Sequence, residues 1–282
     1  MKMIVKIIGI ILLIGIVVIG ILALLNFTQR KYNQLTKEAL AKEDISNEII
    51  TEDDLSHLPK LVQNYLNYVG VVGTEKVSNF QVNLDGEFKM NRNSEFAPCI
   101  IKQTSFQNQG IRLFYMDLYV NKIKISGLHH FYRDDSIMKI KILDVFTVVN
   151  ENGEEMKKAE TVTFFNDMVL LAPQTLISDE INWEERDDSS VEATFTHDGI
   201  TIKAIIFFDD MGRVTNFVSK DRLVVDNDGT KDSVPWSTPI FEYQELKGFN
   251  LPKYGKAVWH YEEGDFTYST LHIVDIEYNI EN

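Results

Sequence analysis

The chain has 282 residues, and no Pro/Gly/Ser-rich linker divides the part after about residue 55, so one large domain is favoured over two small ones. Its net charge of −14 is uneven: Lys2, Lys6, Arg30, Lys31, Lys37 and Lys42 against Glu38 give residues 1–42 a charge of +5, leaving −19 for the rest. A surface this acidic is repelled by phosphate backbones, which excludes nucleic acid as a partner. The single Cys99 excludes an internal disulfide framework and a cysteine-based zinc site.

From Ile7 to Leu25 nineteen residues run without a charge. As a helix they rise about 28 Å, the thickness of a bilayer core. The run ends at Leu24-Leu25-Asn26-Phe27, without the small residues of a signal-peptide cleavage site, so it predicts an uncleaved single-pass anchor over residues 1–27. Basic residues flank it on both sides. The short basic head resembles a signal-anchor and places the domain outside the cell membrane. Residues 28–54 are polar and read as a juxtamembrane tether, leaving a single globular, β-rich domain at 55–282.

Within LSHLPKLVQNYLNYVG, Leu61, Val62, Tyr65, Leu66 and Val69 recur at helical spacing between Pro59 and Gly70, which predicts a short amphipathic helix. Period-two segments follow at Phe80–Met90, Leu113–Tyr115, Ile123–Ile125 and Met138–Ile142, separated by turn residues. The period changes in EEMKKAETVTFFNDMVLLAP, where residues 155–171 predict a long buried helix ended by Pro173. Strands then resume to Tyr278. About ten strands with one long helix predict an α+β fold: a curved, mostly antiparallel half-barrel sheet wrapped around that helix.

The strings LPKLVQNYL, ETVTFFNDMVLLAPQTLI, INWEERDD, FVSKDR, PWSTPIFEY and the closing EYN resemble an uncharacterised family of membrane-anchored bacterial proteins, over residues 57 to 279. That family supplies no catalytic residues. In element order alone, the chain is also similar to the unclosed β-barrel of periplasmic lipoprotein carriers. This second resemblance implies an apolar ligand.

No catalytic or metal-binding pattern stands out. The six histidines form no spaced ligand pair, and no G-x-S-x-G or glycine-rich phosphate loop occurs. The sequence therefore assigns no cofactor, no metal and no catalytic residue. Arg222, if it points inward, pairs with a carboxylate or binds an anionic head group. Trp183, Phe207, Phe217, Tyr243, Trp259 and Tyr268 lie on successive strands, and inward positions of an unclosed sheet would line a ligand cavity. These residues with Arg222 are the candidate binding site of a membrane-tethered, non-enzymatic module for an apolar or lipid-like ligand. Two other readings stay open: a hydrolase with an unrecognised site, and a protein-interaction domain without a small ligand.

Overall fold

The structure, a computed structural model, describes Lys6, Gly9 and residues 26–132, 135–222, 224–225, 231–232 and 234–281. The expected anchor at 7–25 thus lies outside the described residues except for Gly9. Among the described residues no helix is long and apolar enough to cross a membrane.

The segment expected to be a tether is instead largely folded onto the domain. Helix α1 (Phe27–Leu40) sets Tyr32 and Ala39 against Phe106, Ile111, Leu113 and Tyr115. The Tyr32 hydroxyl shares a 2.6 Å hydrogen bond with Thr104. The segment reads as polar because its buried stripe is Thr28, Tyr32, Thr36 and Ala39, spaced as one helical face but small and hydroxylated. A single-turn α2 (Glu52–Leu55) follows, capped by Thr51 and Asp54. Then comes the expected amphipathic helix, α3 (Lys60–Val69), which buries Val62, Tyr65, Leu66 and Val69 and ends at Gly70 with φ 90°.

Six strands form the first arm: β1 (Asn79–Phe88), β2 (Ala97–Phe106), β3 (Ile111–Val120), β4 (Ile123–Tyr132), β5 (Asp135–Ile142) and β6 (Phe146–Asn152). After the long helix α4 (Glu154–Leu171) and a 3-10 turn (Pro173–Ile177) come β7 (Ile181–Asp187), β8 (Ser190–His197), β9 (Ile200–Phe208) and β10 (Val214–Ser219). The rest are β11 (Val224–Val225), β12 (Lys231–Asp232), β13 (Trp236–Ser237), β14 (Ile240–Leu246), β15 (Phe249–Tyr261) and β16 (Gly264–Tyr278). Among the described residues they make one 14-stranded sheet in the order β6-β5-β4-β3-β2-β1-β16-β15-β13-β10-β9-β8-β7, with β14 on β15 and with β11 and β12 paired separately. Every pairing is antiparallel.

The sheet does not close, because β6 and β7 are its two edges, and the chain between them is α4. One helix therefore crosses the concave face, and its 18 residues span about 27 Å. Facing strands on either side, every residue from Glu160 to Leu171 is buried, so this stretch has no polar face to show. This is the α+β half-barrel around one long helix that the sequence predicts. Strands β2 and β6 were not foreseen: the last four residues of β2 are all buried because α1 and the concave core cover both faces, and β6 is an exposed edge. At the sheet centre Gly86 has φ +156°, and a Cβ there would stand 2.0 Å from the Thr270 carbonyl oxygen across β16.

Candidate ligand-binding cavity

Alternation along β3 sorts its side chains between two environments. Ile111, Leu113 and Tyr115 meet α1, while Arg112, Phe114, Met116 and Leu118 face a cavity of about 500 Å³ between the sheet and α4. Apolar wall comes from Leu84, Ile101, Ile125, Ile140 and Leu271 on five further strands, and α4 contributes Thr163 and Leu170. Half-exposed Met90 also lines it, so the cavity reaches the surface at the β1–β2 turn.

One side of this space carries a buried polar network. The Arg112 guanidinium donates from Nε to Asp167 Oδ2 at 2.6 Å, from Nη1 to Glu160 Oε2 at 3.0 Å, and from Nη2 to Gln103 Oε1 at 3.0 Å. Gln103 Nε2 donates to Asp167 at 2.8 Å, and His129 Nδ1 lies 3.0 Å from Glu160 Oε1. Glu160 and Asp167 stand seven residues apart on α4, hence on one face. Burial pushes the Glu160 carboxyl up, but the Arg112 charge, His129 and Arg222 together hold it down at about 2. Asp167 moves the other way, raised by burial and by the neighbouring Glu160 charge against the pull of Arg112 and Gln103. Two carboxylates thus share one guanidinium, and Asp167 is the first to take a proton. Nearby, Thr238 donates to Asn166 Oδ1 at 2.6 Å, so these helix polar groups bond across to the sheet rather than locally.

Arg222 is built differently. Its guanidinium lies 4.3 Å over the Trp236 ring and 5.6 Å from that of Trp259, and Nη1 donates to the Tyr268 hydroxyl at 3.2 Å. No carboxylate pairs with it among the described residues. Trp236 Nε1 also donates to the Tyr268 hydroxyl, at 3.0 Å.

A profile of the family of unknown function DUF6544 matches residues 48–271. The chain belongs to that family. No curated protein matches it. Among solved structures it is similar to a Vibrio parahaemolyticus domain described as an outer membrane lipoprotein-sorting protein, at 10% identity and TM-score 0.42, covering 72% of this chain and 86% of that one. A DUF1329 family protein from Desulfovibrio piger follows at 13% identity and TM-score 0.38, with 72% and 87% covered. A LolA superfamily protein from Nitrosomonas europaea is 9% identical with TM-score 0.35, and 79% and 93% are covered.

Of the seven residues singled out by sequence, this DUF6544 chain brings Arg222, Trp259 and Tyr268 to the cavity. The other four lie elsewhere. Phe217 is fully buried between Phe165 and Trp236, and Trp183 packs its ring against Phe165. Phe207 faces outward, since β9 sends Ile202, Ala204, Ile206 and Phe208 inward. Tyr243 lies against Tyr68, its hydroxyl donating to the Val214 carbonyl at 2.9 Å. Residues the sequence reading missed are Arg112, Glu160, Asp167 and Gln103.

On the outward face, Ser237 Oγ lies 2.7 Å from His260 Nε2, and His260 Nδ1 lies 2.7 Å from Asp265 Oδ1. That order and those distances match a nucleophile, base and orienting acid. Ser237 is, however, only 1% exposed, enclosed between β10 and β15, which leaves a substrate carbonyl no approach to Oγ. Among the described residues no group of three or more His, Cys, Asp or Glu is placed to hold a metal ion.

Proposed function

We propose that this protein is a membrane-tethered module that takes up an apolar or lipid-like ligand in the cavity under α4. The observation that carries the reading is the cavity itself: about 500 Å³, walled by aliphatic and aromatic side chains from most strands of one arm, and reaching the surface at Met90. Its position relative to the tether supports the same reading. Asn26, the first residue after the nineteen-residue apolar run, donates its backbone N–H to Asp144 Oδ2 in the β5–β6 turn at 3.0 Å. The start of α1 and the strand ends and turn beside it expose Phe27, Ile123, Leu143, Val145 and Phe146, the last at 65%. An apolar rim next to an anchor suits a lipid surface, and strand polarity puts this rim at the same end of the arm as Met90.

The full chain, purified from cells in phosphatidylcholine nanodiscs of one defined acyl composition, should yield cell-derived lipid of other composition in near-stoichiometric amount on extraction and mass spectrometry. Ala257→Phe, which fills the cavity from β15, should lose it while remaining folded. A folded wild-type chain that yields none, and that takes up no acyl probe, would refute the reading. The Ser237–His260–Asp265 line favours a second reading, a hydrolase, which the burial of Ser237 opposes.

A further inference from the structure

Resting on the ligand reading above, we propose that the ligand is an anionic amphiphile, a single acyl chain with a carboxylate or phosphate head, and that Arg222 and Tyr268 bind the head. Three observations converge. First, the cavity is not acidic although the protein is: its lining sets Arg112 and Arg222 against Glu160 and Asp167 in a chain of net charge −14, while the lining residues Lys89 and Lys256 hold their ammoniums over the exposed rings of Phe96 and Phe241. Second, the carboxylates present are already used: Arg112 takes both, and His129 takes the remaining oxygen of Glu160. Arg222 is held by ring faces instead, which fix its plane, and no carboxylate forms an ion pair with it among the described residues, although Glu160 feels its charge from a distance.

Third, the Tyr268 hydroxyl accepts two hydrogen bonds, from Arg222 Nη1 and Trp236 Nε1. A phenol has one proton to give. With both incoming bonds filling its acceptor sites, that proton has no acceptor among the described residues. The guanidinium edge not turned to Tyr268 and the phenol proton therefore stand side by side as free donors at an apolar wall. A carboxylate or phosphate offers the complementary acceptors, and charge-assisted bonds of this kind are the strong ones. A neutral ester or an alcohol offers no charge to match. The acyl chain would then run along Phe88, Leu271 and Ile125 toward the apolar rim.

The test compares dansyl-undecanoic acid with its methyl ester on the full chain in phosphatidylcholine nanodiscs, with empty nanodiscs subtracting partition into lipid. Energy transfer from tryptophan reports the occupied cavity. The acid should bind about 10- to 100-fold tighter than the ester. Arg222→Met should abolish that preference by weakening the acid alone, and the unchanged ester affinity shows that the cavity remains folded. Tyr268→Phe, which removes only the proton, should cost the acid about tenfold or less and leave the ester unchanged. Acetate and inorganic phosphate should not displace the acid, because they lack the chain. Equal binding of acid and ester, unaltered by Arg222→Met, overturns the head-group assignment and leaves the apolar-ligand reading standing. Displacement by acetate or phosphate at probe-like concentrations overturns the amphiphile in favour of a free-anion site. Failure of both probes removes the ligand reading and this inference with it.

Discussion

Arg112→Met removes the guanidinium shared by two buried carboxylates, Glu160 and Asp167. The Arg112 side chain is 6% exposed, Glu160 2% and Asp167 10%, so the carboxylates left behind are poorly solvated. Breaking a buried pair by deleting one partner costs about 3–5 kcal/mol, a large part of a domain stability of about 5–15. With a urea m-value of about 3 kcal/mol/M, the unfolding midpoint should fall by more than 1 M at pH 7. Methionine keeps most of the volume, so the loss is electrostatic rather than a cavity. The pH dependence follows in sign. Without Arg112 both carboxyls are raised above their unfolded values, and the deficit is complete above those raised values and fades as pH falls toward about 4. In the wild type Glu160 is depressed instead, from 4.5 to about 2, and its contribution is present above 4.5 and lost as pH drops toward 2. Adding Glu160→Gln and Asp167→Asn to Arg112→Met should restore most of the midpoint, since neutral amides can bond to one another and to Gln103. A single Arg112→Met variant within about 0.5 kcal/mol of wild type at pH 7 would show that the network is solvated through the cavity, and the reasoning would fail.

Phe165→Ala should cost about 3–5 kcal/mol by thermal or urea unfolding, because the ring is fully buried against Phe195, Phe217 and Trp183; a loss under 1 would place it at a surface. Gly86→Ala should lower stability by about 2 kcal/mol or more, since the new Cβ meets backbone that belongs to a paired strand, and near-neutrality in the same assay would contradict that close approach. Tyr32→Ala should loosen α1 and open Lys31 and Lys37 to limited trypsin digestion, whereas equal cleavage of wild type would mean that α1 is undocked. An alkyl fluorophosphonate should leave Ser237 unmodified, and labelling that vanishes in Ser237→Ala would restore the hydrolase reading.

The sequence was most legible where one element had to satisfy one environment. Residues 155–171 broke the strand period, were apolar almost all round toward Pro173, and do form α4. It was least legible where the same residue types serve two environments. The sheet has a hollow arm, β1 to β5 with β15 and β16, and a filled arm, β7 to β10, in which Phe165, Phe195 and Phe217 pack solidly. An inward aromatic reads alike in both, so Trp259 and Tyr268 fell at the cavity while Trp183 and Phe217 fell in packed core. The charged network was hidden by distance, since Arg112 lies 48 and 55 residues from its partners. A partial signal did exist: Glu160 and Asp167, seven apart in an apolar helix, had to share a face and needed a cation. The docking of helix α1 was missed because a stripe of threonines beside one tyrosine does not register as hydrophobic.

The pairing of β1 with β16 sets a timetable for biogenesis. Phe80 meets Tyr278 and Phe88 meets Ser269, so the first strand of the sheet waits for the last to be translated. Until then the ribosome has released two antiparallel meanders, with the edge of β1 bare and the hollow arm still lacking the wall that β15 and β16 supply. Such long-range closure is slow relative to local hairpins. If the apolar run at 7–25 is captured by a bilayer early in synthesis, the unfinished arm matures beside that surface, and cellular holdases have a defined window, ending with Tyr278, in which to protect it.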